Sequence, residues 1–326
     1  LDLDSWSHAI PGRPGTILVA GDKKAQFENE LNAIGAEFTV ETENIKELLD
    51  LEDKLLSDAS RKLTLTWTLF MESLLHAREW VTLPATLYAI HKLVIDVTEQ
   101  DLLQDIDWIV LPIANPDGYV HTHVESRFWR KNRATGYMIN DVCAGVDLNR
   151  NFDTFWSQAS SNLVCSDTFH GRSGFSEPET SIIRDIVLEH KDRIELFLDI
   201  HSFGSMILYG YGTGQLPQNG LFLHLVGVQM AQAIDAVKMS WNQDYIVGNV
   251  ALVLYEASGS AMDYAKSVGV PYSYTFELPG LRFGLGGFGF LVDPDFIEQA
   301  GFETWEGIKA GARYARNNYR QRRSVK

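Results

Sequence analysis

IELFLDIHSFG, residues 194–204, is the stretch on which the reading of the fold turns. It is an apolar strand with a histidine, His201, at its carboxyl end, where open α/β sheets put their ligands. Stretches of the same kind lie on either side. Leu63–Phe70, rich in threonine, leucine and aromatics, reads as a buried strand. Ile106–Asn115 is a short apolar strand ended by the turn signal NPDG, and Pro271–Leu278 ends in Glu277 before a glycine-rich loop, Gly280–Gly289. Between the strands the apolar spacing is helical over Leu83–Val97, with Pro84 in the first turn where its missing N–H does no harm, and again over Glu177–His190, Leu221–Val237 and Pro294–Arg320. This alternation predicts an α/β protein with a mixed, largely parallel central sheet covered by helices on both faces. A small α+β segment precedes it: strand Thr16–Ala20, helix Lys23–Ile34 closed by Gly35, strand Glu37–Val40 and an acidic helix, Asn44–Asp53.

A chain of 326 residues, 45% hydrophobic, buries enough core for one large domain with a small companion. Its net charge of −15 opposes nucleic acid and anionic membrane as partners, since both want a basic face. No run approaches the ~20 apolar residues of a membrane span. The opening LDLDSWSHAI has neither the basic nor the apolar region of a signal peptide. Cys143 and Cys165 flank a polar loop, which suits one disulfide in an oxidising compartment; two ordinary thiols are the alternative.

Chemistry gathers first at LLHAREW, Leu74–Trp80. His76 and Glu79 are three apart, so a helix here would project both from one face towards a divalent ion. A catalytic zinc takes three protein ligands and keeps a fourth position open, so the pair requires a distant third. Alone, such a pair is more often an ordinary helix start. The chain has nine histidines, and the eight besides His76 compete for the third place; the strand-end position favours His201, against the alternative of a satisfied core histidine. Glu277 also closes an apolar strand, where a carboxylate is costly to bury without a metal, a base or a partner beside it. Arg127, Arg130, Lys131, Arg133 and Arg150 cluster in an otherwise acidic chain, either as salt bridges or as an anion-binding cleft. Together these residues describe a metal-assisted hydrolase.

HAREW, NPDG, FWRKNR, GVDLNRNF, CSDTFHG, DIHSFG, YEASGSAMDY and YTFEL, in that order, resemble the motif series of the pancreatic-type zinc metallocarboxypeptidases. The resemblance implies a secreted zymogen and monomer that binds one zinc ion and removes the last residue from peptide or protein C-termini. By position, His76, Glu79 and His201 match the zinc ligands and Glu277 the general base. Arg130 matches the guanidinium that steadies the oxyanion, a role generally worth ~3 to 4 kcal/mol. Asn149 and Arg150 match the clamp on the substrate carboxylate, Tyr255 the tyrosine that closes over it, and Arg78 and Arg127 the outer arginines of the substrate path. Asp147 matches a carboxylate oriented towards a zinc histidine. Met262 falls at the floor of the side-chain pocket, with Val250, Leu254 and Ala257 lining it, which implies apolar or aromatic C-terminal residues. Asp263 stands next in line, and a shift of one residue would turn the pocket towards Lys and Arg.

The chain also departs from that pattern. Residues 1–53 are similar to the later part of the family's inhibitory propeptide, 54–69 form a shortened junction, and 70–326 carry the catalytic motifs. The family places a helix and strands where this chain has only Lys54–Leu75, and Arg61–Lys62 is the one basic pair near the junction for activation cleavage. Phe203 stands where many members have tyrosine. An alternative function follows from the shortening: a non-catalytic peptide-binding relative whose site is not competent.

Overall fold

The structure, a computed structural model, describes residues 4–5, 16–47, 50–51, 66–104, 106–137, 143–281 and 289–324. Two units divide the chain, Leu1–Lys62 and Leu63–Lys326. In the first, β1 (Asp4–Ser5) pairs antiparallel with β2 (Ile17–Leu18), and α1 (Lys24–Ala33) follows. That helix ends as the sequence predicts: Gly35 takes a left-handed φ of +68°, and Ala36 N–H returns to Leu31 O at 3.0 Å. The predicted strand Glu37–Val40 does not form. Those residues have no ladder partner among the described residues, and Phe38 and Val40 are exposed. The chain turns helical again at residue 45, where the acidic helix is expected. Arg61–Lys62 lies outside the described residues.

The second unit is a six-stranded sheet of β3 (Trp67–Ser73), β4 (Ile106–Leu111), β5 (Ile194–Ser202), β6 (Met206–Tyr209), β7 (Ile246–Asn249) and β8 (Tyr272–Leu278), in the order β4-β3-β5-β8-β6-β7. Every pair is parallel except β6 with β8, so the sheet is mixed and largely parallel, as the alternation predicts. Helices are α2 (Thr82–Val94), α3 (Pro116–Val124), α4 (Pro178–His190), α5 (Gly220–Asp235), α6 (Val250–Val253), α7 (Ala261–Ser267) and α8 (Ile297–Ser324).

Strand periodicity sorts the two faces. Leu69 and Met71 of β3, Leu196, Leu198 and Ile200 of β5, and Tyr274 and Phe276 of β8 share one core with α2, α5 and α8. Phe70 and Phe197 point the other way, 5.3 Å apart between ring centres, into a core with α4 and α7. The residues that continue that second face towards the strand ends are Glu72, Asp199, His201, Thr275 and Glu277, and the register sets Glu72 beside Asp199, Asp199 beside Thr275, and His201 beside Glu277. The chain adds β4 on one side of β3 and β5 on the other, so the strand order reverses here, and the crevice belongs at these carboxyl ends.

Two local expectations are corrected. LLHAREW is not helical: His76 and Glu79 sit in a turn between β3 and α2, closed by Glu79 N–H on His76 O at 3.2 Å. The helical ladder is pre-empted, because Ser73 O accepts Ala114 N–H and Ala77 N–H donates to Arg130 O, both at 3.0 Å. NPDG does not end a strand in a free turn but starts α3, with Asn115 as N-cap and Pro116 at the first helical position. β6 and β7, four residues each, and α7 were not expected, being too short for periodicity to reveal.

Asn115 fastens this region. Fully buried, it caps Gly118 N–H through Oδ1 at 3.0 Å and donates through Nδ2 to Leu75 O at 3.0 Å and Lys131 O at 3.1 Å. Asn115→Ala loses the cap and leaves two buried carbonyls unpaired, and should destabilise the protein by about 2–4 kcal/mol. Denaturant unfolding checks this; a loss below about 0.5 kcal/mol would contradict the role.

Candidate active site

Leu74, with φ +58°, turns the chain out of β3, so that His76 and Glu79 meet the end of β5. The Glu79 carboxylate lies between two imidazoles, with Oε1 2.8 Å from His76 Nδ1 and Oε2 2.8 Å from His201 Nδ1. Ser202 N–H donates to the same Oε2 at 3.1 Å. All three side chains are buried, and their ligand atoms lie within 4.8 Å of one another. Burial pushes the Glu79 carboxyl up, but His76 and His201 outweigh it and hold the group below the usual carboxylate range. Two imidazoles and one carboxylate so disposed, with a cavity beside them, are the donor set of a three-ligand zinc site with a fourth position open.

Each far imidazole nitrogen faces a carboxylate. His76 Nε2 is 2.9 Å from Asp147 Oδ1. Asp147 caps the 3-10 turn Leu148–Arg150 and receives Arg130 Nε and Nη2 on Oδ2 at 3.0 and 2.8 Å. Burial opposes the charge on both partners, yet Arg130 holds Asp147 well below its ordinary range and Asp147 raises Arg130. His201 Nε2 is 2.6 Å from Asp199 Oδ1 and 2.8 Å from Asn149 Nδ2. Burial would lower His201, but Asp199 and Glu79 raise it well above the ordinary imidazole value. Asp199 was not singled out from the sequence. The signal was there: counting back two residues from His201 along a strand reaches the same face.

Glu277 lines the same cavity, its carboxyl pushed up to about 8 by burial and by the neighbouring Glu79, against His201 and Arg130. Arg130, Asn149, Arg150, Arg78 and Tyr255 also line it, and Arg150 Nη2 donates to the Tyr255 hydroxyl at 3.3 Å. Arg127 does not line it: its guanidinium donates to Arg78 O and Phe290 O, both at 2.8 Å, and stacks 3.8 Å from the Trp80 ring centre. The basic cluster therefore divides. Arg130 and Arg150 reach the cavity, whereas Lys131 donates to Val164 O and Arg133 stacks on Trp129.

The far end of the cavity is apolar, lined by Leu208, Val250, Leu254, Ala257 and Met262. Asp263 does not line the cavity and is fully buried; its Oδ1 accepts the N–H of Gly212, which does line it, at 3.0 Å. Phe203 packs on the remnant of the glycine-rich loop, most of which lies outside the described residues. A Cβ on Gly289 would stand 2.2 Å from the Phe203 ring, so only glycine admits it there. Cys143 and Cys165 form a disulfide, Cα atoms 4.8 Å apart.

Residues 36–307 match the family model for zinc carboxypeptidases, and residues 1–52 match that for the carboxypeptidase activation peptide. The chain is 39% identical over 386 aligned positions to carboxypeptidase B of Helicoverpa zea, covering 98% of this chain and 89% of that one. It is 35% identical over 243 positions to a zinc carboxypeptidase of Simulium vittatum, covering 73% of this chain and 77% of that one. The crystal structure of carboxypeptidase A from Helicoverpa armigera superposes with a TM-score of 0.75 at 56% identity, over 96% of this chain and 91% of the other. The chain belongs to the zinc carboxypeptidase family.

Proposed function

We propose that the protein hydrolyses the C-terminal peptide bond of peptides or proteins, with His76, Glu79 and His201 holding the zinc ion. The observation that carries this reading is the Glu79 carboxylate seated between two Nδ1 atoms in a cavity that Glu277 and Arg130 also line. When bound, the ion supplies Lewis acidity, which at a three-ligand centre makes water a nucleophile near neutral pH. Glu277 takes a proton from the attacking water and delivers it to the departing amine. Its raised affinity for a proton suits both halves of that task. Arg130, anchored by two hydrogen bonds to Asp147, holds charge that develops on the scissile carbonyl oxygen. Asn149 and Arg150 clamp the substrate's terminal carboxylate, Tyr255 closes over it, and Arg78 faces the residues upstream. Arg127 acts on the substrate path through the backbone of Arg78 that it supports.

The leaving residue's side chain enters the apolar end, with Met262 as its floor. Leu208, Val250 and Met262 form one apolar cluster there, which favours apolar or aromatic residues. Residues 1–53 act as the propeptide of a zymogen, 54–69 as the junction, and 70–326 as the catalytic domain. Support for secretion comes from the activation-peptide match and the disulfide; among the described residues no helix is long and apolar enough to cross a membrane. The enzymatic reading is favoured over a non-catalytic relative because the ligand set closes despite the shortened junction.

Trypsin-treated protein should bind one zinc ion and release Phe or Leu from peptide C-termini, and a zinc chelator should abolish release. One bound zinc with no chelator-sensitive release would sink the enzymatic reading. Glu277→Gln should lower kcat by roughly 10²- to 10⁴-fold with zinc content unchanged, as expected for loss of an acid–base group; a variant retaining more than about a tenth of the rate removes Glu277 from that role. Met262→Asp should shift the ratio of kcat/KM for Lys-ending over Phe-ending peptides upward by at least about tenfold. An unchanged ratio would place the specificity elsewhere.

A further inference from the structure

Two buried carboxyl groups beside the metal ligands have no part in the reaction as proposed: Asp199 and Glu72. Both are fully buried on neighbouring strands, register partners across β3 and β5. Asp199 faces two different parts of the site. Its Oδ1 is in ion-pair contact with His201 Nε2 at 2.6 Å, outside hydrogen-bond geometry, and its Oδ2 accepts Asn149 Nδ2 at 3.0 Å and the Thr275 hydroxyl at 3.4 Å. The orientation of the Asn149 amide is fixed independently, because its Oδ1 accepts Ala261 N–H at 2.8 Å. Nδ2 is therefore the atom turned towards Asp199. It also lies 2.8 Å from His201 Nε2, so the amide and the imidazole meet beside one carboxylate.

We infer that Asp199 is a positioning residue that holds the imidazole of His201 and the amide of Asn149 at once, tying the metal ligand to the substrate clamp. An anion in ion-pair contact 2.6 Å from Nε2 favours positive charge on the ring and so raises its basicity at Nδ1, the atom beside Glu79. The same anion draws one N–H of Asn149 inward, which sets the plane of the amide. Asp147 contacts His76 at Nε2 and, through Oδ1 accepting Asn149 N–H, also holds the turn that carries Asn149 and Arg150. Each imidazole thus has its own carboxylate, and both carboxylates also order the clamp.

Glu72 sharpens the assignment. Neither of its oxygens has a hydrogen-bond partner among the described residues, and burial together with the nearby Asp199 raises its carboxyl well above the ordinary range. That leaves Asp199 as the member of the pair whose oxygens meet His201 and Asn149. Thr275 supplies the remaining polar neighbour on β8.

The inference rests on the reading that His76, Glu79 and His201 bind zinc and that Asn149 and Arg150 bind the terminal carboxylate. The test compares wild-type full-length protein with Asp199→Asn, which keeps the shape and removes the charge. Zinc affinity is read by chelator competition on the intact chain. KM for a Phe-ending peptide is read after trypsin treatment at saturating zinc, so that loss of metal cannot raise it. The expected result is a zinc Kd raised about 10- to 100-fold and a KM raised at least about fivefold. A change in only one of these constants, or in neither, overturns the inference. A residue that served folding alone would lower the unfolding midpoint of the metal-free protein and the active fraction, and leave both constants of the surviving enzyme at wild-type values. Should Asp199→Asn not fold, Asp199→Ser, smaller and still polar, is read on the same two constants. Wild-type protein that holds no zinc or releases no residue overturns the site reading itself, and the inference falls with it.

Discussion

One carboxylate between two imidazoles sets the terms for the rest of the catalytic unit. Removing Glu79 from water costs several kcal/mol if nothing compensates it, and an unpaired buried charge would shift its pKa and neutralise instead. Here the compensation comes from three separate stretches of chain: His76 in the same turn, His201 at the end of β5, and the Ser202 amide beside it. Each imidazole so recruited is itself buried and needs a partner on its far side, which brings in Asp147 and Asp199. Asp147 in turn requires Arg130. The alternation of charge outward from Glu79 follows from that first burial, and it carries Arg130 to the cavity wall.

The sheet makes this possible because its order changes direction between β3 and β5. Adjacent parallel strands on which the chain departs to opposite sides leave their carboxyl ends uncovered by a crossover. The two metal-ligand segments emerge from those strands, and β8 brings Glu277 into register with His201 on the next one. β8 lies parallel to β5 and antiparallel to β6, so β6 turns back from Glu277 and builds the apolar end of the cavity through Leu208. His76, Glu79 and His201 thus line one cavity with the apolar residues Leu208, Val250 and Met262.

Sequence alone made much of this legible, and the failures have physical causes. His201 and Glu277 stood out because a polar residue that closes an apolar strand is conspicuous. His76 and Glu79 were legible as a pair but not in conformation, since the helix is pre-empted by Ala114 and Arg130, whose backbone contacts come from distant parts of the chain. NPDG carried the chemistry of a helix cap as well as that of a turn, and only the buried carbonyls of Leu75 and Lys131 decide which. β6 and β7 are four residues each, below the length at which alternation separates strand from loop. Asp199 lay inside the apolar run that announced β5 and was absorbed into it, although the strand period places it on the face of His201. Arg127 belonged to the basic cluster by composition, yet its guanidinium is spent on carbonyls rather than on the cavity.

The neighbouring pair Met262 and Asp263 shows how a one-residue uncertainty becomes a chemical one, and what removes it. Adjacent positions on a helix point about 100° apart, so only one of the two can face the pocket. The cap of α7 bears on the choice: Ser260 Oγ accepts Asp263 N–H at 3.0 Å, which fixes the first turn, and Asp263 Oδ1 accepts the N–H of Gly212 in the cavity wall. Met262 is left facing Leu208 and Val250. Burial pushes the Asp263 carboxyl up to about 7, against the hydrogen bonds from Gly212 and Ser260 that favour the anion. The apolar reading of the pocket therefore rests on the geometry of a helix cap, a feature that alignment of motifs does not contain.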